Sequence, residues 1–282
     1  MRLNDILLHI DSYPRATPSH AIDEAVAFVA AVGGRLSALA VKVTIPLHSN
    51  RFADRLIGLS DMVRDEEARS RSDSQGSLAY FREKAQAAGV LGEALLETAD
   101  VYLLADHVAR RARTRDLCLV PLAGPYDGQV EVVEGVIFDS GRPALVFRAG
   151  EANLPPARPA RVVIAWDASQ WAARAMAEAM PILSLAQEIQ VLTILNEKPD
   201  AAAGITRDAV RHLEAHGLAA RGVEVDCLGA PVGAVLDDYL AQQQPDLLVM
   251  GAYGHSRLRE FILGGATEHV LRKPKVPLFL SH

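Results

Sequence analysis

Glycines close to the end of the chain have a spacing that suits phosphate binding. The apolar run 246–250, typical of a buried strand, leads into the pattern G-x-x-G-x9-G-G, after which a helix is predicted. Glycine lets a phosphate approach backbone N–H groups closely, and a helix N-terminus adds unpaired donors and the positive end of its dipole. The segment therefore predicts an anion cradle for the phosphates of a nucleotide. Its residues are Met250, Gly251, Gly254, His255, Gly264, Gly265, Ala266 and Thr267.

The spacing and its flanking segments distinguish between kinds of glycine loop. A P-loop needs GxxxxGK[ST] and a dinucleotide fold needs GxGxxG on its first strand, and this segment has neither spacing. The loop instead resembles the nucleotide-binding signature of the universal stress protein family. Residues 162–176, VVIAWDASQWAARAM, resemble the opening strand of that family with Asp167 at its end, and the closing VPLFLSH also matches. The resemblance covers nearly the whole chain and implies a protein that binds an adenine nucleotide.

The resemblance assigns the nucleoside end of the site to residues near the strand ends. Asp167 would accept hydrogen bonds from adenine or ribose; the alternative is that it caps the helix that follows. Leu195 aligns with the second-strand position that lines the adenine pocket in the family, although on its own it would be a core residue. Met250 and Gly251 would bring backbone against the ribose and the α-phosphate.

The remaining loop residues would hold the phosphates. Gly254 and His255 follow on the loop, where the imidazole could reach a phosphate or simply be exposed. Residues 264–267 would present consecutive N–H groups, and the Thr267 hydroxyl could contact a phosphate or a cation, or act as an N-cap. The sequence departs from the family at Gly265, where nucleotide-binding members commonly carry serine or threonine. This departure removes a hydroxyl but leaves the main-chain donors in place.

The chain contains an internal repeat that the proline-rich stretch 152–161 interrupts. We expect a first universal stress domain over residues 1–150 and a second over residues 159–282. In each half, apolar β-branched runs alternate with helical segments, which implies buried parallel strands joined by right-handed crossovers. The predicted fold class is α/β, with two doubly wound, mostly parallel five-stranded sheets, and the resemblance implies that they are of the adenine nucleotide alpha hydrolase-like type. We expect the two domains to pack as an intramolecular pseudo-dimer through their final strands.

The first half departs from the family pattern in the loop that begins at Pro121. The glycines of this loop have neither the required spacing nor a glycine-threonine helix opening. Asp11 is retained at the end of the first strand, but Pro121 and Pro125 remove N–H donors and stiffen the backbone where phosphates would bind. The first domain is therefore predicted to be degenerate, to bind no nucleotide in the family manner and to provide an interface.

Composition argues against several classes of protein. The formal net charge is −6 and no clustered basic face is evident, which argues against a nucleic-acid partner. The two cysteines each lie in an apolar strand-like run, so a disulfide framework is not expected. The N-terminus does not resemble a signal peptide, and no apolar run is long enough to cross a bilayer. We predict a cytoplasmic protein without a membrane partner or a protein metal site.

No catalytic constellation is evident, since GxSxG does not occur and Ser140 has no identifiable partner. We expect a stress-response protein that binds ATP, ADP or AMP in its second domain and acts as a nucleotide-dependent regulator or sensor for an unidentified protein partner. Mg²⁺ could accompany the nucleotide, with slow ATP hydrolysis at most. Two alternatives stay open: a scaffold that binds no nucleotide, and a hydrolase or transferase that uses His9, Asp11 and the loop around Arg142. Two chains could also associate into a homodimer.

Overall fold

A computed structural model describes residues 3–47, 58–124, 127–150, 154–196, 204–252 and 265–282. The strands of the first half are β1 (Asp5–Ile10), β2 (Arg35–Thr44), β3 (Leu91–Asp100), β4 (Leu117–Leu122) and β5 (Ala144–Arg148). Its helices are α1 (Ser19–Val32), α2 (Leu59–Ala87), α3 (Leu104–Ala112) and α4 (Asp127–Gly135). The strands of the second half are β6 (Arg161–Ala165), β7 (Glu188–Leu195), β8 (Ala220–Asp226), β9 (Leu247–Gly251) and β10 (Leu278–Ser281). Its helices are α5 (Gln170–Leu183), α6 (Arg207–Ala215), α7 (Val232–Gln243) and α8 (Gly265–Arg272).

The strands form one continuous ten-stranded sheet in the order β3-β2-β1-β4-β5-β10-β9-β6-β7-β8. Each half contributes five parallel strands in the same relative order, and β5 pairs with β10 in the antiparallel sense, with Leu280 opposite Ala144. The predicted α/β class and the mostly parallel, doubly wound sheets are confirmed. The two expected sheets are joined into one through their final strands. Because this junction is antiparallel, the carboxyl edge of the second half lies beside the amino edge of the first.

Helices cover both faces of the sheet, which explains why the strands are apolar on both sides. The helices α1, α2, α5 and α6 contribute to a core cluster on one face, while α3, α4, α7 and α8 contribute to a second cluster on the other. Among the described helices, none has the length and apolarity required to cross a bilayer.

The two halves start their sheets with the same local construction. The Asp116 side chain, just before β4, accepts hydrogen bonds from the backbone N–H groups of Asn4 at 2.8 Å and Asp5 at 3.0 Å. The Asp246 side chain, just before β9, accepts from the N–H groups of Ala160 at 2.6 Å and Arg161 at 3.0 Å. In both halves a carboxylate therefore satisfies the donors at the start of the central strand.

The helix α4 lies where the sequence predicted a loop. It continues into a π-helical turn over Val136–Ser140. Val132, Val133, Val136 and Ile137 are buried in the second core cluster, and their spacing is that of one helical face. Packing of this apolar face accounts for the helix, although glycines occur at both ends of α4 and the sequence looked irregular.

Candidate functional site

The carboxyl ends of β6 and β9 form the topological switch point of the second half. The two strands are parallel neighbours, with Ala165 opposite Met250. From this pair the chain continues in opposite directions across the sheet, from β6 to β7 and from β9 to β10. Such a point leaves a crevice between the diverging connections, and ligands of open α/β sheets bind there. Asp167 and Ala252 each lie two residues beyond this register pair, at the same edge of the sheet.

Asp167 lies in the turn that leads from β6 into α5. Its side chain is exposed, and its Oδ1 accepts a hydrogen bond from the backbone N–H of Ser169 at 3.1 Å. The N-cap of α5 is Ser169, whose hydroxyl oxygen accepts from the N–H of Ala172 at 3.1 Å. Between them Ala168 has a φ of 57°, a left-handed conformation that is uncommon for a residue with a side chain. The helix α5 is thus capped by Ser169, and the exposed Asp167 carboxylate lies in the turn at the carboxyl end of β6.

Leu195 ends β7, which neighbours β6 on the side away from β9. Its side chain is half-buried, and its carbonyl accepts a hydrogen bond from the N–H of Cys227 at 3.1 Å. The next residue, Asn196, donates from Nδ2 to the Asp226 carboxylate at 2.6 Å. This bond, together with one from the N–H of Leu228, lowers the pKa of Asp226 below its ordinary value. An apolar side chain bordered by amide and carboxylate groups can flank a base.

Met250 and Gly251 complete the end of β9. The Met250 side chain is only 5% exposed and packs in the second core cluster, so its backbone alone could face a ligand. A Cβ on Gly251 would lie 2.6 Å from the carbonyl carbon of Trp171 and 2.7 Å from the backbone nitrogen of Ala172. A glycine is therefore required here for β9 to pack against α5, independently of any phosphate.

The first residues of α8 follow the predicted glycine loop. Gly265 is exposed, and a Cβ built on it would have no atom within 4 Å. Ala266 packs against the second core cluster, and Thr267 is 4% exposed. Since the helix begins at Gly265, Thr267 lies inside the first turn and is not the N-cap. The first N–H groups of a helix have no acceptor within it, so α8 offers donors at the carboxyl edge of the sheet.

Contacts between side chains hold α8 against α7. The Nε2 of His269 lies 2.9 Å from Oδ2 of Asp237, and Nζ of Lys275 lies 3.0 Å from the same oxygen. The His269 ring covers Gly233 so closely that a Cβ there would lie 2.6 Å from it. Burial acts to raise the pKa of Asp237, but the bonds from His269 and Lys275 outweigh it, and the pKa lies below its ordinary value. The charged carboxylate therefore helps to position the helix that carries Thr267.

Three predicted site residues, Gly254, His255 and Gly264, lie outside the described residues, and their roles stay predictions. Within the described part of the chain, no group of three or more histidine, cysteine, aspartate or glutamate side chains could hold a metal ion. Mg²⁺ prefers oxygen ligands and usually binds through substrate phosphates with one or two protein groups. At this edge that protein group would be Thr267.

The corresponding edge of the first half is closed by its own side chains. Asp11 follows β1 as Asp167 follows β6, yet it is only 3% exposed. Its Oδ1 lies 2.8 Å from Nε2 of His9, and its Oδ2 accepts a hydrogen bond from Nε2 of Gln129 at 2.6 Å. Gln129 also accepts, through Oε1, from the N–H of Ala123 at 2.9 Å. A side chain from α4 thus occupies the hydrogen-bonding positions that a ligand would need.

The connection after β4 differs from its counterpart after β9. Residues 123–126 alone join β4 to α4, whereas residues 252–264 join β9 to α8. Arg142 precedes β5 and therefore lies at the amino edge of the first-half sheet. His9 and Asp11 lie at the carboxyl edge, at the other end of the strands. The structure does not bring together the three residues of the hydrolase alternative.

The sequence analysis did not identify two residues that shape these edges, Ser169 and Gln129. Ser169 could have been found, because a serine immediately before a predicted helix is a common N-cap signal. Gln129 gave no such signal, since a glutamine in a helix is ordinary and its partner Asp11 is distant along the chain. Its role follows only from how α4 packs on the sheet.

Comparisons with known proteins show which families and folds this chain resembles. The model of the universal stress protein family matches residues 159–282. In this part of the chain the sequence therefore resembles the universal stress protein family. A curated universal stress protein from Synechocystis is 31% identical over 121 residues, which make up 42% of this chain and 41% of that protein. The chain therefore spans less than half the length of this curated relative.

Solved structures extend the likeness in fold to the whole chain. A universal stress protein from Archaeoglobus fulgidus, 19% identical, has a TM-score of 0.72 and covers 99% of this chain and 97% of its own. A functionally unknown protein from Pseudomonas aeruginosa, 12% identical, has a TM-score of 0.52 and covers 98% and 92%. At these identities the likeness concerns the fold alone. The residues that match the family model, 159–282, are thus joined to a first half that shares their strand order.

Proposed function

We propose that the second half of this chain binds ATP or a related adenine nucleotide, and that the bound nucleotide regulates the contact of a cytoplasmic stress-response protein with its partner. One contrast carries the proposal. At the switch point of the second half Asp167 is exposed and α8 begins at the same edge of the sheet, whereas Gln129 binds the corresponding Asp11 in the first half. An exposed carboxylate at one switch point and a carboxylate bound by a glutamine at the other support a single nucleotide site for each chain.

The ligand would lie across the ends of the central strands. The base would pack near the half-buried Leu195 side chain, while the Asp167 carboxylate accepts from the adenine amino group or from the ribose. The phosphates would extend toward the first N–H groups of α8, at Gly265 and Ala266, where the helix dipole favours an anion. A Mg²⁺ ion held by the phosphates could add Thr267 as a ligand.

Two measurements test this proposal. Small molecules released from the purified protein are identified by mass spectrometry, and ATP and adenosine are titrated by calorimetry. The informative variant is Gly265→Glu, because the site has room for a side chain and the added carboxylate would repel the phosphates. The control is Gly128→Glu in α4, since that glycine is also helical, exposed and without an atom within 4 Å of a built Cβ.

The expected result is a copurified or titratable adenine nucleotide, with ATP affinity at least ~10-fold weaker in Gly265→Glu and unchanged in Gly128→Glu. A second variant, Asp167→Ala, should weaken adenosine and ATP by similar factors, because its carboxylate serves the nucleoside end. The exposed Asp208 on α6 provides the matched control, Asp208→Ala. If saturating ATP produces no heat and no nucleotide copurifies, the scaffold alternative replaces this proposal.

A further inference from the structure

The antiparallel junction of the sheet places the turn before β5 of the first half beside the carboxyl edge of the second half, where we propose that the nucleotide binds. Leu280 lies opposite Ala144 across the junction, and Ser281 lies opposite Gly251 on the other side of β10. Continuing each register just beyond the strand ends aligns residues from four neighbouring strands at one level. These residues are Arg142, His282, Ala252 and Asp167.

Arg142 is therefore close to the start of the predicted phosphate loop. Neighbouring strands are spaced by about 4.8 Å, so two spacings put the Cα atoms of Arg142 and Ala252 about 10 Å apart. The next strand, which leads to Asp167, adds one more spacing. A long, flexible arginine side chain on the first half can approach a phosphate tail bound over Ala252.

Specific contacts fix this turn against the second half. An Nη2 of Arg174 on α5 donates to the Gly141 carbonyl at 3.1 Å. The ring of Phe138 packs edge-on against the ring of His282, with centroids 4.7 Å apart. Nδ1 of His282 lies 2.9 Å from the carbonyl oxygen of Ala252. The first-half turn is thus connected through His282 to the base of the predicted loop.

The turn contains Asp139 and Arg142, and two further arginines contact it. The Nε of Arg113 donates to the Asp139 carbonyl at 3.1 Å, and the Nε of Arg142 donates to the Arg113 carbonyl at 3.1 Å. Each of these bonds uses one of the five N–H donors of a guanidinium group. Arg174 is paired with Glu178 at 3.0 Å, so its charge is partly neutralised. The Arg142 side chain is exposed, and Arg113 directly follows α3, which packs on the same face of the sheet as α8.

We propose that the first half completes the nucleotide site of the second, with Arg142 binding the polyphosphate tail of ATP or ADP across the junction. This inference rests on the proposed nucleotide binding. Guanidinium groups form strong charge-assisted bonds with phosphate oxygens. The degenerate first half then has a direct role in ligand selection, because its arginine favours nucleotides with a long phosphate tail over AMP and adenosine.

Calorimetric titration of ATP, AMP and adenosine into four proteins tests this role: the wild type, Arg142→Gln, Arg142→Lys and Arg158→Gln. The last variant removes the same charge from the exposed Arg158, which precedes β6 at the amino edge of the second half. We expect Arg142→Gln to weaken ATP binding by about tenfold, a typical loss for one charge-assisted bond. Adenosine affinity should stay unchanged, Arg142→Lys should recover part of the loss, and Arg158→Gln should bind ATP like the wild type.

The possible outcomes separate this inference from the proposed function. If the wild type binds ATP and Arg142→Gln binds it equally well, the inference is wrong and the nucleotide site stands. If Arg142→Gln weakens ATP and adenosine by the same factor, Arg142 acts by holding the turn in place and not by binding phosphate. If the wild type binds neither ligand, both the inference and the proposed function fail.

Discussion

Replacing Gly251 by alanine should destabilise the protein for a reason that lies in α5 and not in a ligand. The new Cβ would be 2.6 Å from the carbonyl carbon of Trp171, 2.7 Å from the nitrogen of Ala172 and 2.9 Å from the Trp171 Cβ. Ordinary contacts of this kind lie near 3.5–4.0 Å, so the strand and the helix must separate by about 1 Å. Two of the three atoms belong to the backbone, which cannot move aside as a flexible side chain does.

The size of the effect follows from two opposing contributions. Overpacking of a well-packed core costs about 1–3 kcal/mol. Alanine reduces the entropy of the unfolded chain relative to glycine, which offsets about 0.4–1 kcal/mol. A net loss of about 1–2 kcal/mol is expected, and for a chain of this size it lowers the midpoint of thermal unfolding by roughly 2–6 °C.

Gly265→Ala provides the matched control for Gly251→Ala. Both glycines belong to the same predicted motif, both have φ outside the left-handed region, and only Gly265 has open space around its Cβ position. Circular dichroism melts of the ligand-free proteins should show Gly251→Ala below the wild type and Gly265→Ala at or slightly above it. Equal melting temperatures for Gly251→Ala and the wild type would refute the packing explanation. Contact with a phosphate would then be the remaining reason for a glycine at position 251.

Two further predictions concern buried or paired carboxylates. Hydrogen bonds from Arg221, and less strongly from Gln190, help to lower the pKa of Glu188 from 4.5 to about 2. The charged Glu188 therefore stabilises the folded state fully above pH 4.5, and this contribution is lost as the pH falls toward 2. It amounts to about 3 kcal/mol from the pKa shift alone and to about 1 kcal/mol once solvent screening is included. In urea titrations, the difference in unfolding free energy between the wild type and Glu188→Gln should therefore disappear on acidification. A difference that is unchanged at pH 2 would contradict this prediction. Gln129→Ala removes a hydrogen bond from the buried Asp11 carboxylate and should cost about 1–3 kcal/mol in the same assay; a neutral effect would show that water replaces the amide.

Much of the fold and part of the candidate site could be predicted from the sequence, because the signals are local. Apolar runs alternating with helical segments are visible within a few residues of each strand, and they predict parallel strands with their ligand at the carboxyl edge. Asp167 is at the end of its strand in the sequence, and in the structure it follows β6 at the switch point between β6 and β9. The glycine spacing likewise pointed to the connection between β9 and α8.

Contacts between distant segments were decided only by the tertiary structure. The reason Gly251 lacks a side chain is the approach of α5, more than 70 residues earlier in the chain. Gln129 reaches Asp11 only because α4 packs where the sequence predicted a loop. Arg142 lies near the second-half site only because β5 and β10 pair in the antiparallel sense. Local periodicity determines which segments become strands and helices, whereas register and packing between them depend on contacts that no single segment encodes.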